Sequence, residues 1–215
     1  MRKITFANGY YYHIYNRGVD KREVFTNNRD YFNFLIRLRD FNNDSIFEQR
    51  LYAHKEPSSF IAKELGSLPR LMEIICYCLI PNHYHLLLKQ LMDRGIGKFL
   101  HKIGTGYVNY FNKTYNRNGV LFQGKYKAVE VVSDEQLLYL SAYINGNAEI
   151  RQITKATNWP WSSYLDYLGE RQGTLCRKEE ILNGFENLAD YKNYLDEVIK
   201  NSGQIKEELR SIQIE

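Results

Sequence analysis

The chain has 215 residues, of which 44% are hydrophobic and 25% charged, a composition typical of folded globular proteins and unlike that of disordered chains. Its formal net charge is +4, and no apolar run approaches the roughly 18 residues that a membrane-spanning helix needs. The N-terminal stretch lacks an apolar signal segment, so we expect a cytoplasmic protein with no membrane partner. The length predicts one domain with a smaller tail.

Positive charge is concentrated in the middle of the chain. Seven basic residues and no acidic residue lie between positions 94 and 127. The chain also has 18 tyrosines and 11 phenylalanines, and aromatic side chains interleaved with cations suit the stacking of unpaired bases. We therefore expect single-stranded nucleic acid as the partner. The candidate DNA-binding residues are Arg94, Lys98, Lys102, Lys113, Arg117, Lys125 and Lys127.

The first elements along the chain are a strand and a helix. Residues 10–17 are rich in β-formers, which predicts a strand. His13 within it is either a satisfied histidine on a sheet face or a neighbour of a metal site. Apolar residues at three- and four-residue spacing predict an amphipathic helix over 29–52. Prolines and glycines mark 55–70 as a connector with a short helix at 60–65.

Two histidines stand at the start of a central strand. Strongly apolar runs predict strands over 74–80 and 84–89, joined by a turn at Pro81 and Asn82. His83 and His85 are two residues apart, so their side chains share one face of a strand. Adjacent imidazoles can hold one divalent metal, although half-buried histidines without a metal are also common. The pair is a candidate metal site that needs further ligands.

The second half of the chain is predicted to be mostly helical. A helix over 95–115 carries much of the basic run, and residues 120–132 alternate as a strand does. Two acidic helices, over 182–200 and 204–212, close the chain on either side of Ser202 and Gly203.

A helix predicted over 135–147 carries candidate chemistry. Tyr143 and Asn147 are four residues apart and so share one helix face. A tyrosine hydroxyl can act as a nucleophile, and an amide oxygen is a ligand that Mg²⁺ or Mn²⁺ accepts. Most helical tyrosines belong to the core, so the spacing alone leaves the role of Tyr143 open.

Several sequence blocks, taken together, resemble one family. The Pro-Asn-His-x-His and Leu-Phe-Gln-Gly blocks are specific in combination. The blocks are YHIYNRG (12–18), YCLIPNHYHLLLK (77–89), YNRNGVLFQGKYKAVEV (115–131), YLSAYINGN (139–147) and WPWSSYLDYLG (159–169). They resemble the REP-associated tyrosine transposases, which belong to the HUH single-tyrosine transposases and are similar to insertion-sequence-200 transposases.

The resemblance implies a fold, a site and a reaction. The fold is α+β: a ferredoxin-like antiparallel β-sheet with helices packed mainly on one face, followed by the C-terminal helical extension. The implied metal ligands are His83, His85 and, through its amide, Asn147, with Mg²⁺ or Mn²⁺ as cofactor. The implied nucleophile is Tyr143. The implied reaction is cleavage of single-stranded DNA near a hairpin through a 5′-phosphotyrosine, by a monomer or a homodimer.

One departure from the family pattern supports an alternative function. The family commonly follows its asparagine with proline, whereas Ala148 follows Asn147 here. The alternative is a domesticated, non-cleaving protein that binds DNA or RNA hairpins. The presence of His83, His85 and Tyr143 favours the enzyme, because a protein that only binds does not need all three.

Overall fold

The computed structural model describes residues 4–43 and 69–211, with side chains described up to residue 202. The strands are β1 (Tyr11–Arg17), β2 (Met72–Ile80), β3 (His83–Gln90) and β4 (Lys127–Val131). The α-helices are α1 (Asn28–Asp40), α2 (Gly95–Thr114), α3 (Asp134–Asn145), α4 (Asn147–Ile150), α5 (Tyr164–Tyr167), α6 (Glu179–Leu182) and α7 (Leu188–Ser211). The short helix predicted over 60–65, and positions 44–52 of the first predicted helix, lie outside the described residues.

The four strands form one antiparallel sheet in the order β2-β3-β1-β4. Helix α1 connects β1 to β2, and α2 connects β3 to β4, so two β-α-β units interleave in the sheet. This is the ferredoxin-like α+β arrangement that the family resemblance implied. The register pairs Tyr15 with His85 and Arg17 with His83, which brings the first strand of the chain beside the two histidines.

The two faces of the sheet carry separate hydrophobic clusters. Successive side chains of a strand point to opposite faces, so Ile14 and Leu86 face α1 and α2, whereas Leu87 faces α3 and α7. The connecting helices thus share one face, as predicted. The other face is covered as well, because the buried Leu140 of α3 and Leu195 of α7 pack there.

Helix α3 is fixed at both ends, which matters because it carries Tyr143. At its start the Ser133 hydroxyl accepts a hydrogen bond from the Gln136 backbone N–H at 3.2 Å, and the Gln136 side chain accepts one from the Val132 N–H at 2.8 Å. This is a reciprocal N-terminal cap. At its end, a Cβ on Gly146 would lie 2.5 Å from Cγ1 of Ile199. Glycine therefore permits the close approach of α7 to the junction of α3 and α4.

Three sequence-based boundaries are wrong. The helix predicted over 29–52 already ends at Asp40. The strand predicted over 120–132 begins only at Lys127, because the preceding residues form a loop against the end of β1. The two helices predicted on either side of Ser202 and Gly203 are one helix, α7. A glycine inside a helix costs about 1 kcal/mol, which is too little to break a long helix whose first turns are buried against α3. Within the described part of the chain, no helix is both long and apolar enough to cross a membrane.

Candidate active site

Three loops that are distant in sequence meet at one end of the sheet. The backbone N–H of Gly18 donates to the carbonyl of Asn82 at 2.8 Å, and the N–H of Gln123 donates to the carbonyl of Arg17 at 2.7 Å. A Cβ on Gly18 would lie 2.2 Å from the carbonyl oxygen of Arg22, so this turn requires glycine. Three of the blocks that carry the family resemblance, 12–18, 77–89 and 115–131, therefore come together at this end of the sheet.

These loops border a cleft of about 730 Å³. Its lining carries four cationic side chains and one carboxylate, that of Glu23. The excess of positive charge suits a polyanion such as a nucleic acid backbone. The lining residues are Tyr15, Asn16, Arg17, Lys21, Glu23, Ile80, Pro81, Asn82, His83, His85, Gln123, Lys127, Arg151 and Ile153.

The hydrogen bonds of Asn82 determine the tautomer of His83. The Asn82 amide nitrogen donates to the carbonyl of Lys21 at 3.3 Å, so the amide oxygen is the atom that lies 2.6 Å from His83 Nδ1. An amide oxygen only accepts hydrogen bonds, and His83 Nδ1 must therefore carry the proton. The lone pair of the neutral ring is then on Nε2, which is buried and has no hydrogen-bond partner.

His85 is held in a similar way by another histidine. His13 Nε2 lies 2.9 Å from His85 Nδ1, and the two rings stack with their centroids 5.1 Å apart. His13 is thus a neighbour of the candidate metal site, one of the two alternatives that the sequence left open. His85 Nε2 is buried and has no hydrogen-bond partner.

Burial keeps the three imidazoles neutral. Desolvation lowers the pKa of His13 to about 3 and that of His83 to about 3, where the charges of Arg151 and Arg17 act in the same direction. Desolvation, followed by the neighbouring His83, His13 and Arg151, also lowers the pKa of His85. Neutral imidazole is the form that binds metals.

The two unpartnered Nε2 atoms fit a divalent cation. A buried polar atom without a hydrogen bond is costly, and a metal would satisfy both nitrogens while the Nδ1 atoms remain hydrogen-bonded, as is usual for metal-ligating histidines. No cluster of three or more His, Cys, Asp or Glu side chains suited to a metal occurs among residues 4–43 and 69–211. A further ligand among these described residues would therefore be of another type, such as an amide.

Tyr143 lies beside the histidines. Its ring is 3% exposed and approaches the His85 ring edge-on, with centroids 6.0 Å apart. Its hydroxyl accepts a hydrogen bond from Nη2 of Arg151, which lines the cleft, at 3.4 Å. Tyr139 stacks on Tyr143 one turn earlier in α3, at 6.2 Å. Tyr143 is not itself among the residues that line the cleft, but it contacts His85 and Arg151, which do line it.

Asn147 is buried close to Tyr143 but outside the residues that line the cleft. It begins α4, after the junction at Gly146. It is fully buried, and neither atom of its amide has a hydrogen-bond partner. Asn145, two residues earlier, has a structural role instead: it donates to the Tyr191 hydroxyl at 2.8 Å and accepts from the Ser163 hydroxyl at 2.6 Å. Of these two asparagines, only Asn147 has an amide available for a ligand.

The structure divides the basic residues predicted to bind DNA. Lys127 lines the cleft. The basic residues of α2 lie in the layer on the opposite face of the sheet from the histidines. The sequence analysis missed Arg17 and Arg151, which both line the cleft. Arg17 lies within the Tyr-Asn-Arg-Gly sequence of the block 12–18, so the sequence did contain an indication that it belongs to the site. Nothing in the sequence around Arg151 distinguished it from other surface arginines.

Two comparisons with known proteins find similarity to transposases. A family model described as "Transposase IS200 like" matches residues 61–147, a segment that includes His83, His85 and Tyr143 and ends at Asn147. A solved structure of a REP-associated tyrosine transposase bound to a REP hairpin superposes with a TM-score of 0.53 at 10% identity, and the match covers 81% of this chain and 88% of that chain. A search of curated proteins finds no match. Over residues 61–147 the chain is therefore similar to the IS200-like transposases, and its fold is similar to that of the REP-associated transposase, as the resemblance of its motifs indicated.

Proposed function

We propose that the protein is a metal-dependent single-stranded DNA endonuclease and strand transferase, a transposase that cuts near DNA hairpins. The observation that carries this proposal is the pair of buried, unpartnered Nε2 atoms of His83 and His85 next to the ring of Tyr143, at a cleft with excess positive charge. Metal ligands, a nucleophile and phosphate-binding cations are the three components that the reaction requires.

In this proposal His83, His85 and Asn147 hold Mg²⁺ or Mn²⁺. When bound, such an ion neutralises charge on a phosphate as its phosphorus becomes five-coordinate. Asn82 and His13 orient the two imidazoles through their Nδ1 atoms. The Asn147 amide supports this assignment by its lack of a hydrogen-bond partner.

Tyr143 is the proposed nucleophile. Its phenolic oxygen forms a bond to the scissile phosphorus while the bond from phosphorus to the 3′-oxygen breaks. The phenol proton goes to solvent, and the departing oxygen takes up a proton to become a 3′-hydroxyl. The product is a 5′-phosphotyrosine, which keeps the phosphoester and can be attacked by a 3′-hydroxyl to join strands.

The substrate is a single strand beside a hairpin. The REP hairpin bound by the structural neighbour supports this class of DNA, and Arg17, Lys127 and Arg151 provide contacts for phosphates at the cleft. The basic residues of α2, on the far layer, would contact a more distant part of the DNA. We also propose that the transposase-like unit spans 1-170 and that 171-215 is an extension whose buried residues support α3.

A covalent adduct tests the proposed reaction. Purified protein is incubated with labelled hairpin DNA carrying single-stranded flanks and with Mn²⁺ or Mg²⁺, and is then separated on a denaturing protein gel. We expect labelled protein in the wild type and in Tyr139→Phe, and none in Tyr143→Phe. Tyr139 is the matched control because it stacks on Tyr143 in the same helix. An adduct that persists in Tyr143→Phe contradicts the assignment.

A second candidate function is a hairpin-binding protein that does not cleave. The position of Asn147, which does not line the cleft, together with Ala148 in place of the family's proline, favours it. Tight binding of the hairpin, with no covalent adduct in the presence of either Mn²⁺ or Mg²⁺, would support this alternative.

A further inference from the structure

The hydroxyl of Tyr143 has a cationic neighbour, the guanidinium of Arg151. Arg151 Nη2 donates to the Tyr143 oxygen at 3.4 Å. Arg151 also lines the cleft, and its charge acts on both His83 and His85. One guanidinium is therefore close to the proposed nucleophile, the proposed metal ligands and the space where DNA would lie.

The backbone presents Arg151 at a defined position. The Arg151 N–H donates to the Asn147 carbonyl at 2.9 Å, which ends α4. The next two N–H groups, of Gln152 and Ile153, return to the carbonyls of Glu149 and Ala148 at 2.8 and 2.9 Å. Gln152 adopts φ = 59°, so the chain reverses immediately after Arg151. The arginine therefore stands on a tight turn that α4 joins to the helix carrying Tyr143.

We propose that Arg151 is a catalytic residue of the cleavage step, which stabilises the Tyr143 phenolate and contacts the scissile phosphate. A guanidinium has five N–H donors in a rigid plane, so it can donate to the phenolic oxygen and to a phosphate oxygen together. It is not the base, because a guanidinium stays protonated in proteins. The phenol proton passes to solvent, the Tyr143 oxygen bonds to phosphorus, and the 3′-oxygen leaves and is protonated. In the reverse, joining step Arg151 stabilises the phenolate as it departs.

This inference rests on the proposed function, and cleavage kinetics separate the two. Single-turnover cleavage is measured at saturating DNA across a range of pH for wild type, Arg151→Ala, Arg151→Lys and the control Arg29→Ala. Removal of one aligned donor from a transition state costs about 10²-fold in rate, and we expect this loss in Arg151→Ala. Its pH profile should shift to higher pH, because the phenolate has lost its cation. Arg29→Ala, which removes an exposed arginine of α1 that is not part of the cleft lining, should keep both the rate and the pH profile of the wild type.

Chemical rescue distinguishes catalysis from a structural role. Added guanidinium ion should restore part of the rate of Arg151→Ala and leave Arg29→Ala unchanged, while Arg151→Lys should retain part of the rate without rescue. Thermal unfolding and hairpin binding, measured on each variant, establish that the fold persists. A wild-type rate and pH profile in Arg151→Ala at saturating DNA overturns the role of Arg151 alone. The absence of any adduct in the wild type overturns the proposed function, and this inference with it.

Discussion

The buried histidines make the stability of the protein depend on pH. His13 is 0% exposed, and burial lowers its pKa from 6.5 to about 3. Between these values the unfolded chain binds a proton that the native state does not bind, so the stability that is present above about pH 6.5 is lost as the pH falls. One such group costs about 1.4 kcal/mol per pH unit, or about 2 kcal/mol between pH 6.5 and pH 5.

Urea unfolding measures this loss. The free energy of unfolding is obtained at pH 7 and pH 5 in a metal chelator, from the fluorescence of Trp159 and Trp161, for wild type and His13→Gln. The wild type should lose about 2 kcal/mol more than the variant over this interval, because glutamine does not titrate. His101→Gln is the matched control, since His101 lies exposed on α2 and its replacement leaves the buried histidines in place.

The other two histidines act in the same direction. The pKa of His85 is lowered by burial, as is that of His83, which is only half-buried and so should contribute less than His13. Between pH 7 and pH 5 the free energy of unfolding of the wild type should therefore fall by more than the titration of His13 alone accounts for. Equal pH dependence in the wild type and in His13→Gln would refute the conclusion that His13 is buried and neutral in the native state.

Three further predictions concern the metal, the DNA and the core. Asn82→Ala should lower the affinity for Mn²⁺, measured by calorimetry, about 10- to 100-fold because His83 loses the acceptor that orients it; unchanged affinity would contradict the tautomer assignment. Arg17→Ala should weaken binding of single-stranded DNA and reduce the slope of log K against log salt by about one, and an unaltered slope would show that Arg17 makes no phosphate contact. Asp30→Ala should lower the free energy of unfolding by about 2–4 kcal/mol, because the buried carboxylate accepts hydrogen bonds from Thr26, Tyr110 and Tyr115; a loss below about 1 kcal/mol in urea unfolding would contradict it.

Much of the sheet was predictable because its signals are local. Alternation and β-branched or aromatic residues located β1, β2 and β3 to within two residues, and the His-x-His spacing fixed which side chains share a face. The start of the strand predicted over 120–132 was not predictable in this way. The alternating pattern also runs through residues 120–126, which form a loop against β1 in which the Gln123 N–H donates to the Arg17 carbonyl. Only this tertiary contact distinguishes the loop from the strand that follows it.

The site required the register of the sheet. His13 and His85 are 72 positions apart, and their hydrogen bond exists because β1 and β3 are antiparallel with His13 opposite Leu87. No spacing in the sequence encodes that contact. Arg151 reaches Tyr143 through the reversal of the chain at Gln152, which is a conformation that a residue other than glycine adopts only when the surrounding structure supports it. His13 and Arg151 lie beside the predicted His83–His85 pair and Tyr143. Their place in the site can be recognised only from the folded structure.

We expect Tyr143, beside His83 and His85, to become covalently joined to DNA. The most direct measurement is mass spectrometry of the trypsin-digested adduct, which identifies the peptide that retains a nucleotide. Trypsin separates Tyr143, in the peptide 128–151, from Tyr15, in the peptide 4–17, and Tyr15 is the tyrosine that lines the cleft. We predict a nucleotide attached through its 5′-phosphate to Tyr143, with fragment ions that exclude Tyr139. A nucleotide on Tyr15 instead, or a cleaved strand with no modified tyrosine, would contradict the account.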